Sequence, residues 1–123
     1  MIAGAVNARR EAVVQLRLRG AGGVERSVNA VVDTGFSGYL TLPDGEIAAM
    51  GLTRHSTGGA VLADGTVRQF AVYEAEVWWG AAWRVILVSA VGSEVLAGMR
   101  LLDGHELRIE VAVGGAVAVT PLP

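Results

Sequence analysis

The sequence predicts a mostly-β fold, a closed barrel or sandwich with one or two short helices, and three observations predict it. Apolar and polar residues alternate with a period of two through much of the chain. Gly- and Asp-containing turns interrupt that alternation at short intervals, and only two short segments carry helical spacing. The count is roughly eight short strands, with no linker, low-complexity tract or internal repeat between them.

Val14, Leu16 and Leu18 interleave with Gln15, Arg17 and Arg19, the pattern of a strand with one wet face. "GAGG", residues 20–23, turns the chain into a second strand carrying Val28, Ala30 and Val32, which runs straight into Asp33. "YLTLP", residues 39–43, reads as a third strand. "PDGEIAAMGL" reads as a short helix with Asp44 as N-cap, Ile47 and Met50 on one face and Gly51 at the left-handed C-terminal position. Two strands follow, joined at Asp64-Gly65, the second with Ala71, Tyr73, Ala75, Val77 and Trp79 on one side; together they make a long projecting hairpin. Gly80 breaks that run and "WRVILVS" supplies a further strand. "VLAGMRLLDG" passes from a buried apolar run through Gly98 into a short helix that Gly104 ends. Leu107, Ile109, Val111 and Val113 then alternate, and a Gly-Gly turn leads into "AVAVT".

Composition narrows the chemistry. A chain of 123 residues, 52% hydrophobic, fits one domain spanning residues 1–123. The net charge of −2 makes no electrostatic case for nucleic acid or an anionic membrane as partner. All 10 basic residues are arginine, which removes the phosphate-loop lysine, the Schiff-base amine and the Ser-Lys dyad. With no cysteine, thiol nucleophiles, thiolate metal sites and disulfides are excluded. "MIAGAVNARRE" lacks the basic region of a secretory signal, and no long apolar run follows, so a soluble cytoplasmic protein is the expectation.

"VVDTGFSGYL" places an acid between valines and glycines. Alone, Asp33-Thr34-Gly35 reads as easily as a turn, since Asp and Gly are favoured there. Its company shifts the balance: an acid leaving an apolar strand, a hairpin with "LADGT" at its tip, then "VLAG" followed by "MRLL", in that order. This order resembles the retropepsin-like aspartic proteases, in particular their bacterial single-domain members, over about Val13 to Val113.

The resemblance implies a closed, dimeric acid-protease barrel that cuts peptide bonds in protein or peptide substrates. Asp33 is then the catalytic carboxylate, Thr34 braces its loop against the symmetry mate, and Gly35 gives clearance for the partner loop and substrate. Ala63, Asp64, Gly65 and Thr66 form a flap that folds over the substrate and excludes water. Gly98 lets its segment pass close under the Asp33 loop. A homodimer is required, because each chain contributes one carboxylate. No cofactor and no metal is needed. "MIAGAV" and "AVAVT" are expected to supply the shared interface sheet as unpaired apolar edges.

Two departures from that pattern bear on chemistry. Where such loops usually place Ser, Thr or Ala after the Gly, this chain has Phe36, which cannot hydrogen-bond the acid; a less acidic optimum is the expectation. Retropepsins that carry an acid two residues after the Gly pair it with an Arg straight after the later Gly, and here those places hold Ser37 and Met99, with Arg100 one residue on. Both partners of that ion pair are absent together.

The rival readings are weaker. "GFSG" misses the Gly-x-Ser-x-Gly elbow because Tyr39 stands at the last position, and His55 and His105 read as surface or loop histidines. Two distant histidines give no ligand spacing for a metal. Trp78, Trp79 and Trp83 read as core and interface filler. The alternative from another class is a dimeric protease-like module that binds peptide segments without cutting them.

Overall fold

The computed structural model describes residues 1–123. The chain forms β1 (Ile2–Val6), β2 (Ala12–Arg19), β3 (Glu25–Val32), β4 (Leu40–Thr41), α1 (Asp44–Met50), β5 (Thr53–Val61), β6 (Val67–Trp79), β7 (Ala82–Ser89), β8 (Leu96–Ala97), α2 (Met99–Leu102), β9 (His105–Ile109) and β10 (Ala116–Pro121). The strands make one 10-stranded sheet in the order β5-β6-β7-β4-β8-β3-β2-β1-β10-β9. An additional pairing of Leu18 with Val77 and Arg19 with Glu76 joins β2 back to β6. The sheet therefore closes into a ring through β2, β3, β8, β4, β7 and β6, which removes those edges from solvent.

The period-two pattern sets what lies inside. Along β2, Ala12, Val14, Leu16 and Leu18 are buried while Gln15 and Arg17 are exposed, and Val28 and Ala30 of β3 oppose them. Ala75, Val77 and Trp79 of β6 and Ile86 and Val88 of β7 complete one core with Leu40, Leu42, Ile47, Met50 and Leu101. Each of the larger side chains contributes roughly 1.5–3 kcal/mol by leaving water. No helix is long and apolar enough to cross a membrane.

Several expectations from the sequence change. Asp44 is not the N-cap of α1; Pro43 holds that place with φ −64° and ψ 153°, and no side chain caps the helix. Proline's fixed φ suits the extended cap geometry, and Asp44 and Glu46 instead lie in the first turn, where acids favour the helix dipole. Gly51 does take the left-handed C-terminal position. The strand expected over residues 39–43 shrinks to Leu40–Thr41, flanked by β7 and β8, because Pro43 has no N–H to extend it. Alternation at Val111 and Val113 does not continue β9: its pairing with β10 ends at Ile109–Val117, and both valines are exposed.

The expected interface edges are also corrected. β1 is paired on both sides, with β2 and β10, and β10 lies between β1 and β9. Neither "MIAGAV" nor "AVAVT" is a free edge. The terminal strands of the sheet are β5 and β9.

Candidate active site

Asp33 sits where the ladder between β3 and β8 ends. Val31 N–H donates to Val95 O at 2.9 Å and Asp33 N–H to Ala97 O at 2.9 Å, so the backbone of the acid is still pinned to the neighbouring strand. Beyond it the chain turns: Gly35 N–H donates to Asp33 Oδ1 at 2.9 Å and Phe36 N–H to Asp33 O at 3.1 Å. One carboxylate oxygen holds the turn, which aims the half-buried side chain. The acid thus turns the chain through one carboxylate oxygen. Thr34 and Gly35 are exposed beside it.

The Gly98 segment clasps this loop from beneath. Gly98 N–H donates to Tyr39 O at 2.9 Å, Met99 N–H to Phe36 O at 2.8 Å and Arg100 N–H to Gly38 O at 3.2 Å. A Cβ on Gly98 would stand 2.8 Å from Phe36 O and 2.6 Å from Phe36 Cδ2 and would strike Gly38 O, so only glycine fits. Phe36 thereby gains a structural explanation. Its ring lies over Gly38 and Gly98 and fills the space both glycines leave open. Arg100 extends past this clasp toward the Tyr39 ring, 6.0 Å from its centroid, and Ser37 is exposed.

Cavities open on both sides of Thr34. One, of about 400 Å³, is lined by Asp33 and Thr34 with Val32, Arg10, Glu94 and Ile109 among its walls. The other, of about 500 Å³, lies between Thr34 and Met99, His105, Leu107 and Leu122. Apolar side chains stand exposed around the acid: Met99 is 48% exposed, Leu122 55% and Val111 75%.

The four residues at the hairpin tip form their own unit. Leu62 N–H donates to Thr66 O at 2.8 Å, and Asp64 Oδ1 accepts from Thr66 N–H at 3.0 Å and Thr66 Oγ1 at 2.7 Å. These bonds to Thr66 hold the Asp64 carboxyl below its ordinary range. Gly65 has φ +84°, a value its turn demands and a side chain would resist. Asp33, Thr34, Gly35 and Gly98 are thus brought into one clasped loop. Ala63, Asp64, Gly65 and Thr66 are gathered separately, at the exposed end of the β5–β6 arm.

Two residues near the acid are not evident from the sequence. Thr41, 4% exposed, donates its hydroxyl to Glu94 O at 2.9 Å and accepts from Leu96 N–H at 2.9 Å, tying β4 to the strand under Asp33. Its inward register in "YLTLP" is the only signal a sequence offers. Arg10 adopts φ 60° and lines the Asp33 cavity, held by the Asn7 side chain, which accepts from the N–H groups of Arg9 and Glu11. Nothing in residue type announces that conformation. The histidines stand apart from Ser37: His55 meets Ser56 Oγ and His105 meets Trp79. Of the tryptophans only Trp79 is core, while Trp78 and Trp83 stack edge-to-face at 5.5 Å on the outside.

Set against solved structures, the chain is similar to a retropepsin-like aspartic protease from Rickettsia conorii, with TM-score 0.54 and 15% identity over 99% of this chain and 92% of that one. No protein-family model and no curated protein matches it. The architecture is the retropepsin-like aspartic protease fold, with Asp33 at the end of the strand that enters the clasped loop.

Proposed function

We propose that the chain is an aspartic endopeptidase that acts as a homodimer, one active site being built from two copies of Asp33. The observation that carries this reading is the Asp33 carboxylate, oriented by Gly35 N–H in a loop clasped by the Gly98 segment, in a fold of this kind. Two such carboxylates about 3 Å apart cannot both ionise and would share one proton. The ionised member takes a proton from water as its oxygen attacks the scissile carbonyl carbon. The protonated member hydrogen-bonds the oxygen that gains charge; collapse of the tetrahedral intermediate breaks the C–N bond as the amine receives the proton that the first carboxylate took from water.

A single carboxylate does neither job well, so pairing of chains belongs to the mechanism. The apolar side chains exposed around the loop, Met99, Val111 and Leu122, and the open edge of β9 supply the surface for it. Flap residues Ala63 to Thr66 would close over the bound peptide, and Thr34 and Gly35 would meet their symmetry mates. The two arms of that site need no metal and no cofactor.

The test is incubation of the purified chain, and of Asp33→Ala beside it, with a diverse peptide library from about pH 4 to about pH 7. Cleavage by the first and not the second is expected. Cleavage surviving the substitution removes Asp33 from the mechanism, and binding without cleavage by either replaces the enzyme with a peptide-binding module. Sedimentation with a bound peptide inhibitor should show a dimer; a species that stays monomeric has no such site.

A further inference from the structure

Trp79 and His105 form a polar contact that the proposed chemistry does not use. Trp79 is the last residue of β6 and 8% exposed, and its indole N–H donates to His105 Nε2 at 3.1 Å. The other ring nitrogen of His105 lies 2.9 Å from Asp103 O. An indole nitrogen only donates and a carbonyl only accepts, so these two partners dictate the proton: Nε2 must be bare and Nδ1 must carry the hydrogen. The bond to Trp79 exists for the neutral imidazole alone.

His105 opens β9, directly after α2, and pairs with Pro121 of β10. It also walls the cavity beside Thr34 with Leu107 and Leu122. The contact therefore ties the start of the sheet's terminal strand to the end of the ring. We propose that Trp79–His105 is an acid-released latch on β9, closed when the imidazole is neutral and opened when Nε2 takes up a proton.

A proton on Nε2 would place two N–H groups head to head at a distance fit for one hydrogen bond. The His105 ring meets the Trp79 indole edge-to-face with centroids 5.5 Å apart, and no carboxylate is hydrogen-bonded to it. From β7, the Arg84 guanidinium already stands 5.7 Å from the Trp79 ring centroid, so an imidazolium would bring a second positive charge to the same indole. From the turn before β9, Asp103 offers its carbonyl, already used by Nδ1, and its exposed carboxylate makes no hydrogen bond to the ring. Glu106 is exposed and likewise unbonded to it, and β10 presents uncharged Pro121 opposite. Because the bond needs a bare Nε2, a proton on that nitrogen removes its contribution. β9 and its pairing with β10 then loosen first, since within one chain β9 has a strand on one side only. The latch stands whether or not Asp33 is catalytic.

The experiment is a nitrogen–proton NMR titration of the intact chain from about pH 8 to about pH 5, the interval in which imidazoles take up a proton. It follows the Trp79 indole N–H, the His105 ring nitrogens and the β9 amides. At the upper end His105 is expected as the Nδ1–H tautomer. On acidification the Trp79 N–H resonance moves with the His105 titration, and hydrogen exchange of β9 amides rises on the order of tenfold. In His105→Gln, whose side-chain oxygen can accept from Trp79 but cannot titrate, both readouts stay flat over that range. In Trp79→Phe, which removes the indole donor, hydrogen exchange of the β9 amides no longer follows the state of the His105 ring. An Nε2–H tautomer at neutral pH, a Trp79 resonance indifferent to His105, or exchange in β9 that rises equally in His105→Gln overturns the latch.

Discussion

The two ends of the ring are built differently. Where β2 meets β6, charges meet charges: Arg19 makes two hydrogen bonds with Glu76 at 2.9 and 3.2 Å, and its guanidinium lies 4.1 Å from the Trp83 ring centroid. Arg17 pairs with Glu25 close by, and Leu18 and Val77 are wholly buried beneath. At the Asp33 end, the acid, Arg10 and Glu94 face one cavity without an ion pair among them, and Met99, Val111 and Leu122 stand in water. At the first end the charged side chains are paired within the chain, although Val85 there is exposed as well. The second keeps unpaired polar groups and exposed apolar side chains, the features on which the proposed pairing of chains rests.

The sharpest way to break that contrast is Asp33→Asn. The amide oxygen still accepts from Gly35 N–H, so the loop and the melting temperature should hold while peptide cleavage falls by about 10³-fold or more. Loss of stability equal to the loss of activity would make Asp33 a structural residue. Leu18→Ala strikes the other end, removing a fully buried side chain at the seam; a loss of about 2–5 kcal/mol in denaturant unfolding is expected. The kcat of the fraction that remains folded should be unchanged.

Gly98→Ala tests whether the clasp joins the two regions. The added methyl meets Phe36 O and the Phe36 ring, so about 1–3 kcal/mol is lost, and activity falls further than folding does because the Asp33 loop must shift. Glu76→Gln probes the ion pair at the seam, where both partners are about one-third exposed. Urea unfolding should change by less than about 1 kcal/mol, and salt should erase most of the difference.

The smallest effect concerns the tip of the β5–β6 hairpin. Asp64 is held below the ordinary aspartate range, so its stabilisation of the turn is complete above that range and lost only as pH falls through the depressed value. Amide exchange at Thr66 should stay slow through mild acid, and Asp64→Asn should speed it with little effect on global unfolding. A tip that loosens in mild acid in the unaltered chain would contradict this order.

Where the sequence alone was legible, the cause is local. Alternation selects which face of β2, β3 and β6 is buried, since a one-residue slip would expose Val14, Leu16 and Leu18 together. The left-handed positions at Gly51 and Gly65 follow from turn chemistry a few residues long. The order of acid, hairpin and apolar-Gly segment was equally readable, because it is written along the chain.

What only the tertiary structure decided is what depends on partners distant in sequence. β4 and β8 are two residues each and exist because neighbouring strands supply their hydrogen bonds; no propensity over two residues could mark them. The seam between Leu18 and Val77, the pairing of β1 on both sides and the open edge at β9 are registers, set when non-local surfaces meet. Phe36 shows the same division. In the sequence it is the missing polar neighbour of Asp33; in the fold it is the ring packed against Gly38 and Gly98, because that space opens only when the two loops lie together.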